Sequence, residues 1–132
     1  MSAQENKALV LRLVEEFRRG NLAFVDEMFS PSVRIISPSP DWVFPDGLEG
    51  ARMMFGLMHE MGAEMKIEDI VAEDDVVAVR WTLTGVYRGA PKLGFPKPGE
   101  KMTSGSASFF RFVNGKIDRD CGLDIISPTD DP

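Results

Sequence analysis

Three side chains with reactive groups occur once each among the 132 residues of this chain: Tyr87, His59 and Cys121. The Tyr87 hydroxyl could donate a hydrogen bond to a substrate carbonyl or a developing enolate, or it could be the hydrated tip of a packed ring. His59 lies at the edge of a predicted apolar helix stripe, where it could exchange a proton with a substrate or lie at the surface without a chemical role. Cys121 lacks a neighbouring base, which disfavours a nucleophilic thiol. One histidine and one cysteine without ligand spacing cannot form a metal site, so we expect no bound metal.

The dipeptide Asn114-Gly115 joins two strand-like segments and is the strongest turn signal in the chain. Both central residues of such a two-residue turn need positive φ, which asparagine and glycine tolerate. The turn sets Val113 opposite Lys116 and thereby predicts how the two strands pair. With an unbroken register, the pairs on one face are Phe112 with Ile117, Phe110 with Arg119, Ser108 with Cys121, and Ser106 with Leu123. We expect this face to form the floor of a pocket.

The same register predicts an inward Arg119 and, on the opposite face, outward Asp118 and Asp120. A buried guanidinium needs an anion beside it, which could be a carboxylate of the chain, such as Asp41, or of a ligand. A shifted hairpin would instead place Arg119 outside. Asp118 is expected to form a solvated cross-strand ion pair with Arg111.

The inward face of the predicted sheet combines apolar and small polar side chains. Alternation places Trp81 on that face, and Phe110 belongs to it on a neighbouring strand. Ser106 and Ser108 could supply hydroxyl groups to a ligand or fill a narrow part of the interior. The small Cys121 would enlarge the floor.

Methionines are concentrated in the middle of the chain, where five of the eight lie between residues 53 and 65. Met54 and Met58 share one stripe of a predicted helix. Such an adaptable apolar wall suits a flat polycyclic or terpenoid ligand, and the alternative is an ordinary core stripe. The proline-rich segment 37–47 must be a loop, because proline fixes φ and removes a donor. Within it, Asp41 and Trp42 lie over the predicted mouth of the pocket.

Helices in the first half of the chain and strands in the second carry these residues. Ser2 and Glu5 predict a capping box at the start of the first helix, and Gly20 ends that helix. The further predicted elements are a short helix after Asn21, a strand at 33–36, a helix at 52–61, and strands at about 66–72, 76–88, 101–113 and 116–126. This order predicts an α+β fold in which about three helices cover one face of a curved sheet.

Composition narrows the classes of function. The net charge of -6 disfavours a nucleic-acid partner. No apolar run approaches the ~20 residues of a membrane span. A single cysteine excludes an internal disulfide and fits a reducing compartment. We therefore expect a cytoplasmic protein of one domain, residues 1–132, with a loose tail at 129–132 and no membrane contact.

The order of the elements and several segments within them resemble one family. The segments are Val79-Arg80-Trp81-Thr82-Leu83-Thr84-Gly85, Tyr87-Arg88-Gly89, Gly94-Phe95-Pro96-Lys97-Pro98-Gly99, Phe110-Arg111-Phe112 and Gly115-Lys116-Ile117. Over about residues 5–126 the chain is similar to the SnoaL-like polyketide cyclases, within the nuclear-transport-factor-like and ketosteroid-isomerase-like superfamily. The resemblance implies a cone-shaped α+β barrel, with a curved mixed or antiparallel sheet around a cavity for a hydrophobic small molecule. It also implies a homodimer formed through the sheet.

The resemblance further implies where acid/base chemistry would lie. In the cyclases an acid/base aspartate lies on the last strand, where Asp120 and Asp124 are candidates if a β-bulge near Gly122 turns either of them inward. In the steroid isomerases the base is an aspartate that precedes a proline. This chain has Ser37 there, and a serine without a basic partner cannot remove a carbon-bound proton. Asp41 could replace that missing base, or it could be a turn residue.

These observations together predict a cofactor-free acid/base enzyme that cyclises or isomerises a hydrophobic carbonyl compound of polyketide, steroid or terpenoid type. Two alternatives stay open. A module of the same fold could bind a ligand or dimerise without catalysis. An epoxide hydrolase or cyclase would need an aspartate–arginine–aspartate cluster around a water, which Arg119, Asp120 and Asp124 match in composition.

Overall fold

The computed structural model describes residues 2–36, 43–89 and 96–128. Its helices are α1 Ala3–Arg18, α2 Phe24–Met28 and α3 Leu48–Glu60, and its strands are β1 Phe29–Ile36, β2 Glu64–Glu73, β3 Val76–Val86, β4 Lys101–Val113 and β5 Lys116–Pro128. The strands form one mixed sheet in the order β1-β5-β4-β3-β2, with β1 and β5 parallel and the other pairs antiparallel. The predicted α+β class is confirmed, and the sheet is open, with β1 and β2 as its edges.

Helix α1 begins at the predicted capping box. Ser2 Oγ accepts from the Glu5 amide, and Glu5 Oε1 accepts from the Ser2 amide, both at 3.1 Å. Hydrogen bonding of the Glu5 carboxyl group with the Ser2 backbone, and to a smaller extent with the Ser2 side chain, holds the pKa of that carboxyl below its ordinary value. Leu13 and Phe17 are buried on the face toward the core. Gly20, at φ +77°, follows the end of the helix as predicted.

Helix α3 begins at Leu48, earlier than the predicted start at residue 52. The Gly47 amide donates to the Val33 carbonyl at 2.7 Å, so strand β1 positions the start of the helix. Gly50 is required in the first turn, because a Cβ there would lie 1.5 Å from the Pro45 carbonyl oxygen.

Phe55 of α3 joins the helices to the sheet. Its ring centroid lies 6.1 Å from that of Phe17 in α1, 5.0 Å from that of Phe24 in α2 and 5.6 Å from that of Phe29 in β1. Tilted and edge-on aromatic pairs at these distances attract one another beyond the area that they bury. The helical layer is therefore anchored to the start of β1.

The inner face of the sheet, which is the face packed against the helices, carries the main core. Its buried apolar side chains on β3, β4 and β5 are Val77, Val79, Trp81, Phe110, Phe112 and Ile117. Burial of such side chains supplies the main driving force of folding, at about 25 cal/mol for each Å² of apolar surface.

The outer face carries a row of apolar side chains that crosses all five strands. The register aligns Ile36, Cys121, Phe109, Ala78 and Val71, which we call the outer row. Ile36, Phe109 and Val71 are 37%, 46% and 64% exposed. Contiguous exposed apolar surface of this kind is typical of a contact with another molecule.

The hairpin between β4 and β5 has the predicted turn but not the predicted register. The turn has φ 51° at Asn114 and 77° at Gly115, and the first pairs beyond it are those expected. The register then shifts, because β5 contains one more residue than β4 at Asp118. Every pair predicted beyond Ile117 is therefore wrong by one residue. We call this irregularity the Asp118 bulge.

Candidate functional site

The Asp118 bulge turns Asp120 to the inner face of the sheet. Asp120 pairs with Phe110 of β4 and Ile35 of β1, and it is only 7% exposed. The prediction of an outward Asp120 is wrong. The alternative, a β-bulge that turns it inward, is correct, although the extra residue is Asp118 and does not lie near Gly122. A carboxyl group that is shielded from water beside Phe110 and Ile35 is placed where such groups can act as general acids and bases.

The same bulge moves Arg119 and Cys121 to the outer face. Arg119 is exposed opposite Arg34 of β1 and Arg111 of β4, and Cys121 is partly buried opposite Phe109. Both were predicted to point inward, and both predictions are wrong because one extra residue reverses the alternation of every residue that follows. The alternative for Arg119, a shifted hairpin that places it outside, is confirmed. The observed register leaves the Arg119 guanidinium in water, where it needs no buried anion.

Asp118 itself does not pair with Arg111 as predicted. Its Oδ1 accepts from Ser32 Oγ of β1 at 2.9 Å. Arg111 binds Asp75 instead, with 3.1 Å between Nη1 and Oδ2. The prediction is wrong because Asp118 lies within the bulge and has no partner in the β4 register.

Three serines of β4 alternate along the inner face. Ser104, Ser106 and Ser108 are all buried, and the hydroxyl oxygens of Ser104 and Ser106 lie 2.9 Å apart. Trp81 of β3 lies opposite Ser106, with its ring edge-on to that of Phe110 at 6.4 Å. The Trp81 indole N–H is buried and has no acceptor within the part of the chain that the structure describes. A buried donor without an acceptor costs about 1–3 kcal/mol.

Gly122 extends the inner face beyond Asp120. It lies opposite Ser108 and carries no side chain. The backbone register continues with Asp124 opposite Ser106. Sequence reasoning missed Gly122 because it assumed unbroken alternation. No local signal marks the shift, because Asp120 is polar and nothing in its spacing from Ile117 requires both residues to face inward.

Tyr87 lies in a second, smaller cluster. It is 1% exposed and packs with Met61 and Met102. Its amide donates to the Glu100 carbonyl, and its carbonyl accepts from the Gly99 amide, both at 2.8 Å. Tyr87 therefore lies beside the start of β4, whereas Asp120 lies opposite the far end of that strand. The structure does not bring these two candidate residues together.

His59 is exposed near the C-terminal end of α3. It borders an open groove of about 790 Å³, whose lining also includes Phe17, Arg18 and Lys66. None of the residues that line this groove lies in the row that pairs across the sheet with Asp120, which contains Ile35, Asp120, Phe110, Val77 and Ala72. In the groove wall the Arg18 guanidinium bonds to Glu15 and holds the pKa of that carboxyl below its ordinary value. His59 is thus separate from Asp120 and from the residues that pair with it.

The remaining predicted site residues either pack in the core or lie outside the described residues. Met54 and Met58 are half-buried and pack against the main core, and Phe110 is fully buried in it. Asp41 and Trp42 lie outside the described residues, so the predicted pocket mouth is not part of the site described above.

Two further features concern classes of function. Across residues 2–36, 43–89 and 96–128, no three histidine, cysteine, aspartate or glutamate side chains are grouped as metal ligands would be. The helices in those ranges are too short or too polar to cross a membrane.

Residues 10–119 match the SnoaL-like domain family. No curated protein matches the chain.

Solved structures share this fold over nearly the whole chain. AclR from Streptomyces galilaeus, a proposed hydroxylase, has a TM-score of 0.71 at 24% identity, covering 94% of this chain and 91% of its own. A proposed SnoaL-like polyketide cyclase from Jannaschia sp. CCS1 has a TM-score of 0.70 at 25% identity, covering 92% and 86%. IdmH from Streptomyces antibioticus, a proposed polyketide cyclase, has a TM-score of 0.69 at 21% identity, covering 90% and 91%. One fold thus carries proteins assigned to different reactions.

Proposed function

Because the chain belongs to the SnoaL-like domain family, we propose that it is a cofactor-free acid/base enzyme that cyclises or isomerises a hydrophobic carbonyl compound. The observation that carries the proposal is the buried carboxyl group of Asp120 on the inner face of the sheet. The structural relatives assigned as polyketide cyclases favour the same class of chemistry.

In the proposed reaction Asp120 acts as base and then as acid. Its carboxylate removes a proton from the carbon next to the substrate carbonyl, and the electron pair moves onto the carbonyl oxygen as an enolate. In an isomerisation, the Asp120 carboxylic acid returns that proton to another carbon. In a cyclisation, the enolate carbon attacks a second carbonyl, and the acid protonates the new alkoxide. Ser108, one inward position from the Asp120 row along β4, is the proposed hydrogen-bond donor to the oxyanion.

Trp81 suggests a second polar group on the substrate. It lies in the row of Ser106, four residues along β4 from Phe110, which pairs with Asp120, and its ring lies 6.4 Å from that of Phe110. We infer that the indole N–H binds an acceptor other than the oxygen of the reacting carbonyl, so the substrate carries at least two oxygen atoms.

The faces on which Arg119 and Asp120 lie also bear on the two alternative functions. Arg119 and Asp120 lie on opposite faces of β5, which disfavours the epoxide hydrolase or cyclase alternative because its cluster needs an arginine beside the carboxylates. The alternative of a non-catalytic binding module shares the apolar lining and the Trp81 donor. It differs only in the absence of a role for the Asp120 carboxyl group.

An activity screen with one isosteric variant tests the proposal. The substrates are a β,γ-unsaturated steroid ketone, followed by absorbance, and polycyclic polyketide ketones and esters, followed by mass spectrometry. Asp120→Asn is expected to lower kcat at least about 100-fold on any substrate turned over, since general acid/base catalysis contributes that much. Asp69→Asn is the matched control, because Asp69 is an exposed carboxylate paired with Arg80 on the outer face.

The outcomes separate the two leading functions. Turnover by Asp120→Asn at the wild-type rate would remove Asp120 from the mechanism. Quenching of tryptophan fluorescence by the same compounds, with no turnover by wild-type protein, would favour the binding module. Loss of that quenching in Trp81→Phe is expected under either function.

We also propose that the protein forms a homodimer through the outer face of the sheet. The outer row supports this, because apolar side chains aligned across five strands would be covered by the same row of a second copy. Leu123, 58% exposed on the same face, widens the strip.

Sedimentation equilibrium tests the dimer. Wild-type protein is expected to sediment as a dimer at micromolar concentration, and Phe109→Asp as a monomer, because a charge in the outer row would be desolvated at the interface. Leu11→Asp is the control, since Leu11 is 46% exposed on α1, away from the sheet face. A wild-type monomer, or dissociation by both variants alike, would refute the proposal.

A further inference from the structure

Two irregular stretches of neighbouring strands meet at Asp118. In β5, Asp118 is the extra residue between Ile117 and Arg119. In β1, the register runs from Phe29, opposite Ile117, directly to Arg34, opposite Arg119. Both strands therefore leave regular pairing at the same place, and the departures face each other across the parallel β1–β5 pair.

Hydrogen-bonding side chains connect the two irregular stretches. Ser32 Oγ donates to Asp118 Oδ1 at 2.9 Å. The Ser30 hydroxyl lies 2.9 Å from that of Ser32 and accepts from the Ser32 amide at 3.2 Å. Because the Ser32 proton is directed at Asp118, Ser30 supplies the proton between the two serines. The chain of bonds ends on an acidic side chain, and a charged acceptor makes such bonds stronger.

We propose that Asp118 is a positioning residue for Asp120. Through Ser32 it anchors the bulge, and the bulge keeps the Asp120 carboxyl group on the inner face. The importance of this for catalysis rests on the proposed function, whereas the positioning itself can be measured without a substrate.

The competing arrangement is an unbroken β4–β5 ladder. Alternation from Ile117 would then turn Arg119 inward and Asp120 outward. That ladder would gain regular main-chain hydrogen bonds, and its cost would be a guanidinium in the core. The Ser32–Asp118 bond exists in the bulged register, so it adds to the preference for an inward Asp120.

The chain contains a matched control in a second bulge, on the edge strand β2. Glu68 is the extra residue there, between Ile67 and Asp69. Its Oε1 accepts from Thr82 Oγ1 of β3 at 2.9 Å. The second bulge thus has the same chemistry, an acidic bulge residue bound to a hydroxyl of a neighbouring strand, but it lies in a strand pair that does not contain Asp120.

The test follows the Asp120 carboxyl carbon by ¹³C NMR during a pH titration, with Asp120→Asn used for assignment. The variants are Ser32→Ala, Asp118→Ala, Asp118→Asn and, as control, Thr82→Val. Ser32→Ala keeps every charge and removes the bond, whereas Asp118→Asn removes the charge and keeps an acceptor. Ser32→Ala and Asp118→Ala are expected to change the titration midpoint of Asp120, because the carboxyl group would no longer be held at its place on the inner face, whereas Thr82→Val is expected to leave the midpoint unchanged. Amide hydrogen exchange of residues 117–122 is expected to quicken about tenfold in these two variants, as for the loss of one hydrogen bond.

Two patterns would overturn the proposal. If the midpoint moves in Asp118→Asn as far as in Asp118→Ala but not in Ser32→Ala, the charge of Asp118 acts on Asp120 and the bond does not. If Thr82→Val moves it equally, the effect is one of global stability. A normal turnover rate in Asp120→Asn, by contrast, would refute the proposed function and leave the positioning result unaffected.

Discussion

The two β-bulges of this protein use the same local arrangement and place different residues inside. In each, an acidic residue is extra in its strand and accepts a hydroxyl proton from a neighbouring strand at 2.9 Å. The Glu68 bulge lets Ile67 and Ile70, three positions apart, both pack against the core. The Asp118 bulge turns Asp120 inward. One bulge therefore serves packing, and the other brings a carboxyl group to the inner face.

The residue that each bulge turns inward decides whether the bulge stabilises the fold. An inward isoleucine adds buried apolar area, so the Glu68 bulge stabilises the fold. An inward carboxyl group adds no apolar area, so the Asp118 bulge does not stabilise the fold in the same way. We therefore expect the Asp118 bulge to serve the chemistry of the site more than the packing of the core.

Deleting each bulge residue is expected to give the largest contrast. After either deletion the side chains of the strand alternate regularly between the two faces of the sheet. The inward residues, Ile117 and Asp120 in β5 or Ile67 and Ile70 in β2, still face inward. Deletion of Asp118 is expected to lower the free energy of unfolding by about 3 kcal/mol, because β5 pairs with strands on both sides and β1 loses Ser32's acceptor. Deletion of Glu68, in an edge strand, is expected to lower it by about 1 kcal/mol. Urea denaturation measures both. Equal losses would show that the facing irregularity of β1 does not depend on Asp118.

Replacing the inward residue beside each bulge with one of opposite polarity is expected to give the next largest effect. Ile70→Asn should lower the free energy of unfolding by about 2 kcal/mol, since it removes apolar packing and brings an amide against the core. Asp120→Leu should change it by less than about 1 kcal/mol, because the apolar area that leucine adds offsets the polar contacts of the carboxyl group that it removes, while abolishing any turnover that depends on that group. Thermal and urea unfolding check both values. A large loss of stability in Asp120→Leu would mean that Asp120 serves folding, as Ile70 does.

The smallest expected effect comes from the capping box of α1, where a serine and a carboxylate meet without a bulge. The folded-state pKa of Glu5 is lowered from 4.5, so its contribution is fully present above pH 4.5 and is lost as the pH falls through the folded value. Glu5→Gln should therefore be less stable than wild type at pH 7 and equally stable near pH 2. Ser2→Ala, which removes the N-cap hydroxyl, should cost about 1 kcal/mol at pH 7. A constant difference at both pH values for Glu5→Gln would rule out titration of Glu5 as its cause.

Much of the fold could be predicted because its signals are local. The capping box of α1 and the Asn114-Gly115 turn depend on residues that are close in sequence, and the structure contains both. The start of α3 at Leu48 was missed, because the main-chain bond between Gly47 and Val33 that fixes it joins distant segments. Local propensity carries no information about such a bond.

The candidate site was predicted less well, for a reason of geometry. The residue types on the last strand were evident, but their faces depended on counting positions from the turn. Because Asp118 has no partner in β4, every later residue of β5 faces the opposite way from the prediction. Asp120 therefore lies on the inner face, where Arg119 was predicted. The bulge is bound to Ser32, 86 positions earlier in the chain, through a contact that no local pattern contains.

The sequence by itself determined the α+β plan, the hairpin turn, the apolar faces of β3 and β4 and the set of reactive side chains. These follow from φ preferences and from hydrophobic periodicity over a few residues. The tertiary structure alone decided which of those side chains faces the core. A strand's facing reverses with a one-residue shift, and that shift is set here by pairing with β1 and β4 at once.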